Sequence, residues 1–116
     1  MTITRHNSNQ RMSQLVIHGN VAYLAGQVGD NHYDSAGDQT RQVLAKIDAL
    51  LALAGTDKSK VLSAQIWVDD MRKFDDMNKA WDEWVSPGNA PARACTEARM
   101  ANPGWFVEIM VTAAID

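Results

Sequence analysis

Between Ser35 and Gly55 apolar residues recur at helical spacing, with Val43, Leu44, Ile47, Leu50, Leu51 and Ala54 on one stripe. Directly afterwards the period drops to two: from Val61 to Val68, the residues Leu62, Ala64, Ile66 and Val68 alternate with Val61, Ser63, Gln65 and Trp67. A helix that must bury one stripe, followed by a strand that must bury one face, restricts the chain to a layered α+β fold. Ser35 or Asp38 can cap the helix start, and Gly55 suits a left-handed stop. A second stripe, Phe74, Met77, Trp81, Trp84 and Val85, predicts another helix, capped from Asp69-Asp70 and ended by Ser86-Pro87-Gly88.

Strand signals flank these helices. Leu15–His18 and Val21–Ala25 are short apolar runs joined by Gly19-Asn20, a hairpin pattern. Ala92–Met100 and Trp105–Ile115 predict two further strands, read as a second hairpin around Asn102-Pro103-Gly104. The expected order is β-β-α-β-α-β-β, with an additional strand at Ile3, in one domain over residues 1–116 without repeat or linker. Two helices can cover only one face of such a sheet. The last strand sets Val107, Ile109, Val111, Ala113 and Ile115 against Phe106, Met110 and Ala114 with Glu108 and Thr112, so neither face is built for water. The uncovered face is therefore expected to meet another subunit in a homo-oligomer.

With 14 acidic and 11 basic residues, a net charge of −3 and no basic run, the chain offers no surface for nucleic acid. No apolar stretch is long enough to span a bilayer, and the N-terminus lacks a secretory pattern, which predicts a cytoplasmic protein with no membrane partner. Cys95 is the sole cysteine, so an intrachain disulfide and a cysteine-based zinc set are excluded, in keeping with a reducing compartment. His6, His18 and His32 form no i,i+4 pair suited to a metal.

One residue stands out chemically. Arg93 enters a predicted strand that is otherwise largely apolar, and a guanidinium there needs a carboxylate, either a neighbouring acid or a ligand. Taken alone, pairing with Glu97, Glu108 or another subunit's acid is the simpler reading. Glu108 is open to a catalytic or a structural role in equal measure. Placed by the presumed hairpin opposite Glu97 or Ala98, it stands ~16 Å along the strands from Arg93. Cys95 reads as a small buried residue rather than a nucleophile, because nothing in the sequence supplies a base or lowers its pKa. The stripe containing Trp81 reads as helix-to-sheet core.

The segments Ala25-Gly26-Gln27, Met77-Asn78-Lys79-Ala80-Trp81, Ala90-Pro91-Ala92-Arg93-Ala94-Cys95 and Val107-Glu108-Ile109 resemble RidA (YjgF) proteins, the reactive-intermediate deaminases, and resemble their YoaB-like branch most. The resemblance covers nearly the whole chain. It implies a chorismate-mutase-like α+β fold, related to the ferredoxin-like one, whose mixed sheet carries two helices on one face. It further implies a homotrimer with a central β-barrel and ligand clefts between subunits. By the same resemblance, Arg93 grips the carboxylate of a 2-imino acid and Glu108 orients the attacking water. Main-chain groups near Cys95 contact substrate or water, and Gly26 and Asn78 line the cleft. Met12 and Ala25 stand where archetypal members carry a tyrosine and a serine, a loss of two polar groups that bears on substrate range and on catalysis itself.

The implied activity is hydrolysis of short-lived 2-imino acids or enamines to 2-keto acids and ammonia, which requires neither metal nor organic cofactor. Fixing the carboxylate sets the electrophilic carbon against a positioned water, and Glu108 can accept its proton. The alternatives are a non-catalytic module that holds a small carboxylate, such as a 2-keto acid, in the same cleft, and ribonuclease activity, which the acidic balance and unpaired histidines disfavour.

Overall fold

A computed structural model describes all residues, Met1–Asp116. The strands β1 (Ile3–Ser8), β2 (Ser13–His18), β3 (Val21–Leu24) and β4 (Gln27–Val28) precede helix α1 (Ala36–Leu53). Then follow β5 (Val61–Val68), α2 (Phe74–Trp84), β6 (Ala92–Glu97) and β7 (Val107–Ala114). All strands belong to one mixed sheet in the order β1-β2-β3-β7-β5-β6, with β4 pairing β7 beyond the end of β3. The additional strand expected at Ile3 is present; β4, only two residues long, had no recognisable pattern.

Local chemistry sets the helix ends. Ser35 Oγ accepts the Asp38 amide at the start of α1. At its end Gly55 takes a φ of +82°, while the Thr56 and Gly55 amides donate to the Leu51 and Ala52 carbonyls, which satisfies the last turn. The cap expected at Asp69-Asp70 works one step removed: Asp70 accepts the Arg72 amide and caps a 3-10 turn, Met71–Lys73, that leads into α2.

The last two strands correct the sequence reading. They form no hairpin, because β5 lies between them, pairing parallel with β6 and antiparallel with β7. β5-α2-β6 is thus a parallel βαβ unit, which needs its crossover helix. Residues 98–106 link two strands that are not neighbours. The strands are also shorter than expected, ending at Glu97 and starting at Val107. β5 itself spans the expected residues, but its register against β7 slips between Val61 and Ser63, so Val61 is buried and Leu62 is 51% exposed, the reverse of strict alternation.

Ala64, Ile66 and Val68 with Val111, Ile109 and Val107 face the helices and meet Val43, Ile47, Leu51, Met77 and Trp81 in one core. The opposite face carries Tyr23, 48% exposed, and Met110, 42% exposed, with no helix over it. Polar Gln39 is fully buried inside this core. Its Nε2 donates to the Gly104 carbonyl (2.9 Å) and the Asp34 carbonyl (3.1 Å), and its Oε1 accepts the Phe106 amide (2.8 Å). One α1 side chain therefore fixes both the loop before the helix and the entry to β7. Gln39→Leu strands the Phe106 amide without a partner, and the expected cost is about 2–4 kcal/mol, read from urea unfolding of the two proteins.

Candidate functional site

Strand register decides which predicted residues can meet. Arg93 pairs with Ala64, and Cys95 with Ile66, so both lie on the helix-covered face; Glu108 pairs with Trp67, on the open face. Arg93 and Glu108 therefore point to opposite sides of one sheet. They are also separated by the width of β5, about 10 Å across, and by three residues, about 10 Å along it. The placement of Glu108 opposite Glu97 or Ala98 is thereby corrected, since those partners presupposed a hairpin.

The five predicted residues divide into two groups. In the first, Arg93 stands on the edge strand β6 beside α2, whose Phe74, Asn78 and Trp81 share one helix face at spacings of four and three. Its Nη1 donates to Asn78 Oδ1 at 2.7 Å, and its guanidinium carbon lies 5.3 Å from the Trp81 ring centroid and 6.0 Å from that of Phe74. None of the chain's five ion pairs includes Arg93. Glu97, the nearest acid in sequence, is occupied with the Met71 amide at 2.8 Å. A permanent cation is thus held by an amide oxygen and two aromatic faces, which orient it without neutralising it. Trp81 and Phe74, expected only as core, belong to this group as well; their i,i+4,i+7 relation to Asn78 was the available signal.

Cys95 is half-buried next to Arg93 on the same face, and burial raises its thiol pKa while the Arg93 charge opposes the rise. With the desolvation the larger effect, the side chain stays a thiol near neutrality, as expected for a packing residue.

The second group is Gly26 with Glu108. Between β3 and β4 the register against β7 slips by one residue, from Tyr23 opposite Thr112 to Gln27 opposite Ile109, and Ala25-Gly26 forms this bulge. A Cβ built on Gly26 would stand 2.2 Å from Glu108 Oε2, so the glycine vacates the volume that the carboxylate occupies. Burial raises the Glu108 pKa above its ordinary value. Met12, 40% exposed, and Ala25, beside Gly26, bring no hydroxyl to this group.

A recess of about 350 Å³ crosses β6, β5 and β7 on the helix-free side, lined by Ala92, Arg93, Ala94, Gln65, Met110 and Thr112. The roomiest recess, about 430 Å³, lies elsewhere, around Asp69, Glu97, Arg99 and Trp105, and holds none of the five residues. Both its acids are already engaged, Asp69 with Lys73 and Glu97 with the Met71 amide. No group of three or more His, Cys, Asp or Glu side chains is arranged to hold a metal, and no helix is long and apolar enough to cross a membrane.

An α+β mixed sheet with a bulge-held carboxylate and an edge-strand arginine defines the class, and the comparisons supply the family. Residues 2–115 match the family described as Endoribonuclease L-PSP. A RutC family protein of Haemophilus ducreyi is 50% identical over 114 residues, covering 98% of this chain and 97% of that one. The RutC family protein YoaB of Escherichia coli is 44% identical over 115 residues, covering 99% and 100%. The crystal structure of a YjgF family member from Neisseria meningitidis superposes with a TM-score of 0.97 at 44% identity, covering 100% of this chain and 97% of that one. The chain belongs to the YjgF/RidA family, which is the one the motifs around Gly26, Asn78, Arg93 and Glu108 resembled.

Because the folded pKa of Glu108 is raised, the folded state holds its proton to higher pH than the unfolded chain does. Stability is therefore lost as pH rises through that window, starting from the unfolded value near 4.5. Glu108→Gln is expected to raise the thermal midpoint at pH 7 and to leave it unchanged below about pH 4, as thermal melts across the pH range will show.

Proposed function

We propose that this protein is a cofactor-free imine and enamine deaminase, hydrolysing short-lived 2-imino acids to 2-keto acids and ammonia in clefts between the subunits of a homotrimer. The observation that carries the reading is Arg93, a cation without an acidic partner in its own chain, oriented by Asn78 and Trp81 at a free sheet edge. Its carboxylate is then the substrate's.

Glu108 lies on the other face of the sheet, so one chain cannot present both groups to one small molecule. The cleft must draw Arg93 from one copy and Glu108 from its neighbour. The open sheet face, with Tyr23 and Met110 exposed, supports assembly. In the reaction, the Glu108 carboxylate takes a proton from water as the oxygen attacks the iminium carbon. The tetrahedral carbinolamine then collapses as that proton passes to nitrogen: the C–N bond breaks, the hydroxyl proton returns to the Glu108 carboxylate, and the keto acid leaves with ammonia. A carboxylate with a raised pKa is the better base near neutrality. Arg93 supplies position: holding the carboxylate fixes the carbon against the water. The Cys95 side chain takes no part, and main-chain groups around it and at Gly26 line the cleft.

The ribonuclease reading, which the family's description would suggest, gains nothing from the residues. The net charge is −3, and His6, His18 and His32 stand on β1, at the end of β2 and in a separate loop.

Imino acids generated in situ with an amino-acid oxidase and trapped with semicarbazide test the proposal. The native protein is expected to suppress the adduct, Arg93→Ala to abolish suppression, Glu108→Gln to slow turnover roughly 10²–10⁴-fold, and Cys95→Ala to keep it. Activity should rise with pH through the Glu108 pKa. Gly26→Ala meets only the mobile end of the Glu108 side chain, so it is expected to fold and yet lose activity by displacing that carboxylate. Keto-acid binding without turnover, for every imino acid tried, would replace the enzyme with a carboxylate-binding module.

A further inference from the structure

An arginine can receive a carboxylate on two edges of its planar fork: the end formed by Nη1 and Nη2, or the side formed by Nε and Nη2. Here Nη1 is committed to Asn78 Oδ1 at 2.7 Å, while neither Nε nor Nη2 of Arg93 has a partner in the chain. The guanidinium carbon also lies 5.3 Å from the Trp81 ring, which is 95% buried, backed by the Trp84 ring at 5.2 Å and therefore unable to swing away. Phe74 stands at 6.0 Å. A neutral acceptor on one nitrogen and a rigid aromatic face fix both the tilt and the rotation of the fork.

We infer that Asn78 and Trp81 are positioning residues that act through Arg93, leaving its Nε/Nη2 edge as the docking edge for a planar carboxylate. Asn78 then needs no contact of its own with the ligand, unlike the cleft-lining role that the family resemblance implies. The choice of asparagine matters chemically: an aspartate of nearly the same shape would hold Nη1 equally well but would neutralise the charge the ligand needs. The inference rests on carboxylate binding at Arg93 as proposed above, and does not depend on turnover.

Calorimetric titration with 2-oxobutyrate, a non-reacting keto acid, tests it on the native protein and on Asn78→Ala, Asn78→Asp, Trp81→Phe and Trp81→Leu, with urea midpoints measured alongside. Loss of the acceptor or of the aromatic face is expected to weaken binding roughly three- to tenfold in Asn78→Ala and Trp81→Leu. Trp81→Phe, which keeps a ring, should stay within about twofold of native, and Asn78→Asp should lose at least about threefold more affinity than Asn78→Ala despite its native shape. In turnover, the Asn78 variants should raise KM with little change in kcat. If Trp81→Leu fails to fold, the Asn78 pair and Trp81→Phe still decide. Native affinity in Asn78→Ala, or equal losses in Asn78→Ala and Asn78→Asp, overturns the inference. Native protein that binds 2-oxobutyrate but hydrolyses no imine overturns only the deaminase reading, and the variant series then stands by itself.

Discussion

The placement of β5 between β6 and β7 governs the rest of the site. Because β5 pairs with Arg93 through Ala64 and with Glu108 through Trp67, three residues apart and so of opposite parity, the two charged groups emerge on opposite faces. Sheet pleating makes this absolute, since a shift of one residue exchanges faces. A cation and a carboxylate of one sheet are thereby kept from neutralising each other. Each is left available to something outside its own chain.

What keeps them available differs between the two. Arg93 sits at an edge against α2, where Asn78 and Trp81 satisfy and orient it without adding negative charge. Glu108 sits in the sheet interior, in space released by the Gly26 bulge, where partial burial raises its proton affinity. A desolvated carboxylate on a face is costly for an isolated chain, whereas Arg93 is exposed and keeps its water. Such costs accumulate where function requires them. The buried Gln39 serves the same end at a distance, because it fixes the entry to β7 and hence the register on which Glu108 depends.

Much of this was legible in the residues. The 3.6-residue stripe of α1 with Ser35 and Gly55 at its ends, and the alternation of β5, are local signals that tertiary contacts did not override. The family motifs led to Arg93, Glu108, Gly26, Asn78 and Cys95. The pairing of β6 was not legible: Asn102-Pro103-Gly104 between two apolar runs signals a hairpin, whereas the parallel partner of β6 lies 29 residues upstream, across α2. Strand pairing at that distance leaves no local mark, so the face relation of Arg93 to Glu108 had to come from the fold. Gln39 and Thr40 precede Val43 and Leu44 by one helical turn on the buried stripe, a polar pair in an apolar line that was a missed sign of buried hydrogen bonding.

The central claim is that one cleft takes its arginine and its glutamate from different copies of the chain. Complementation tests it directly: co-express Arg93→Ala and Glu108→Gln chains carrying different tags, isolate assemblies that contain both, and measure imine hydrolysis. In a mixed trimer, whichever chain is present twice, one cleft of the three is intact, so about a third of native activity should return, although each variant alone is inactive or nearly so. Mixed assemblies no more active than their parents would contradict the account.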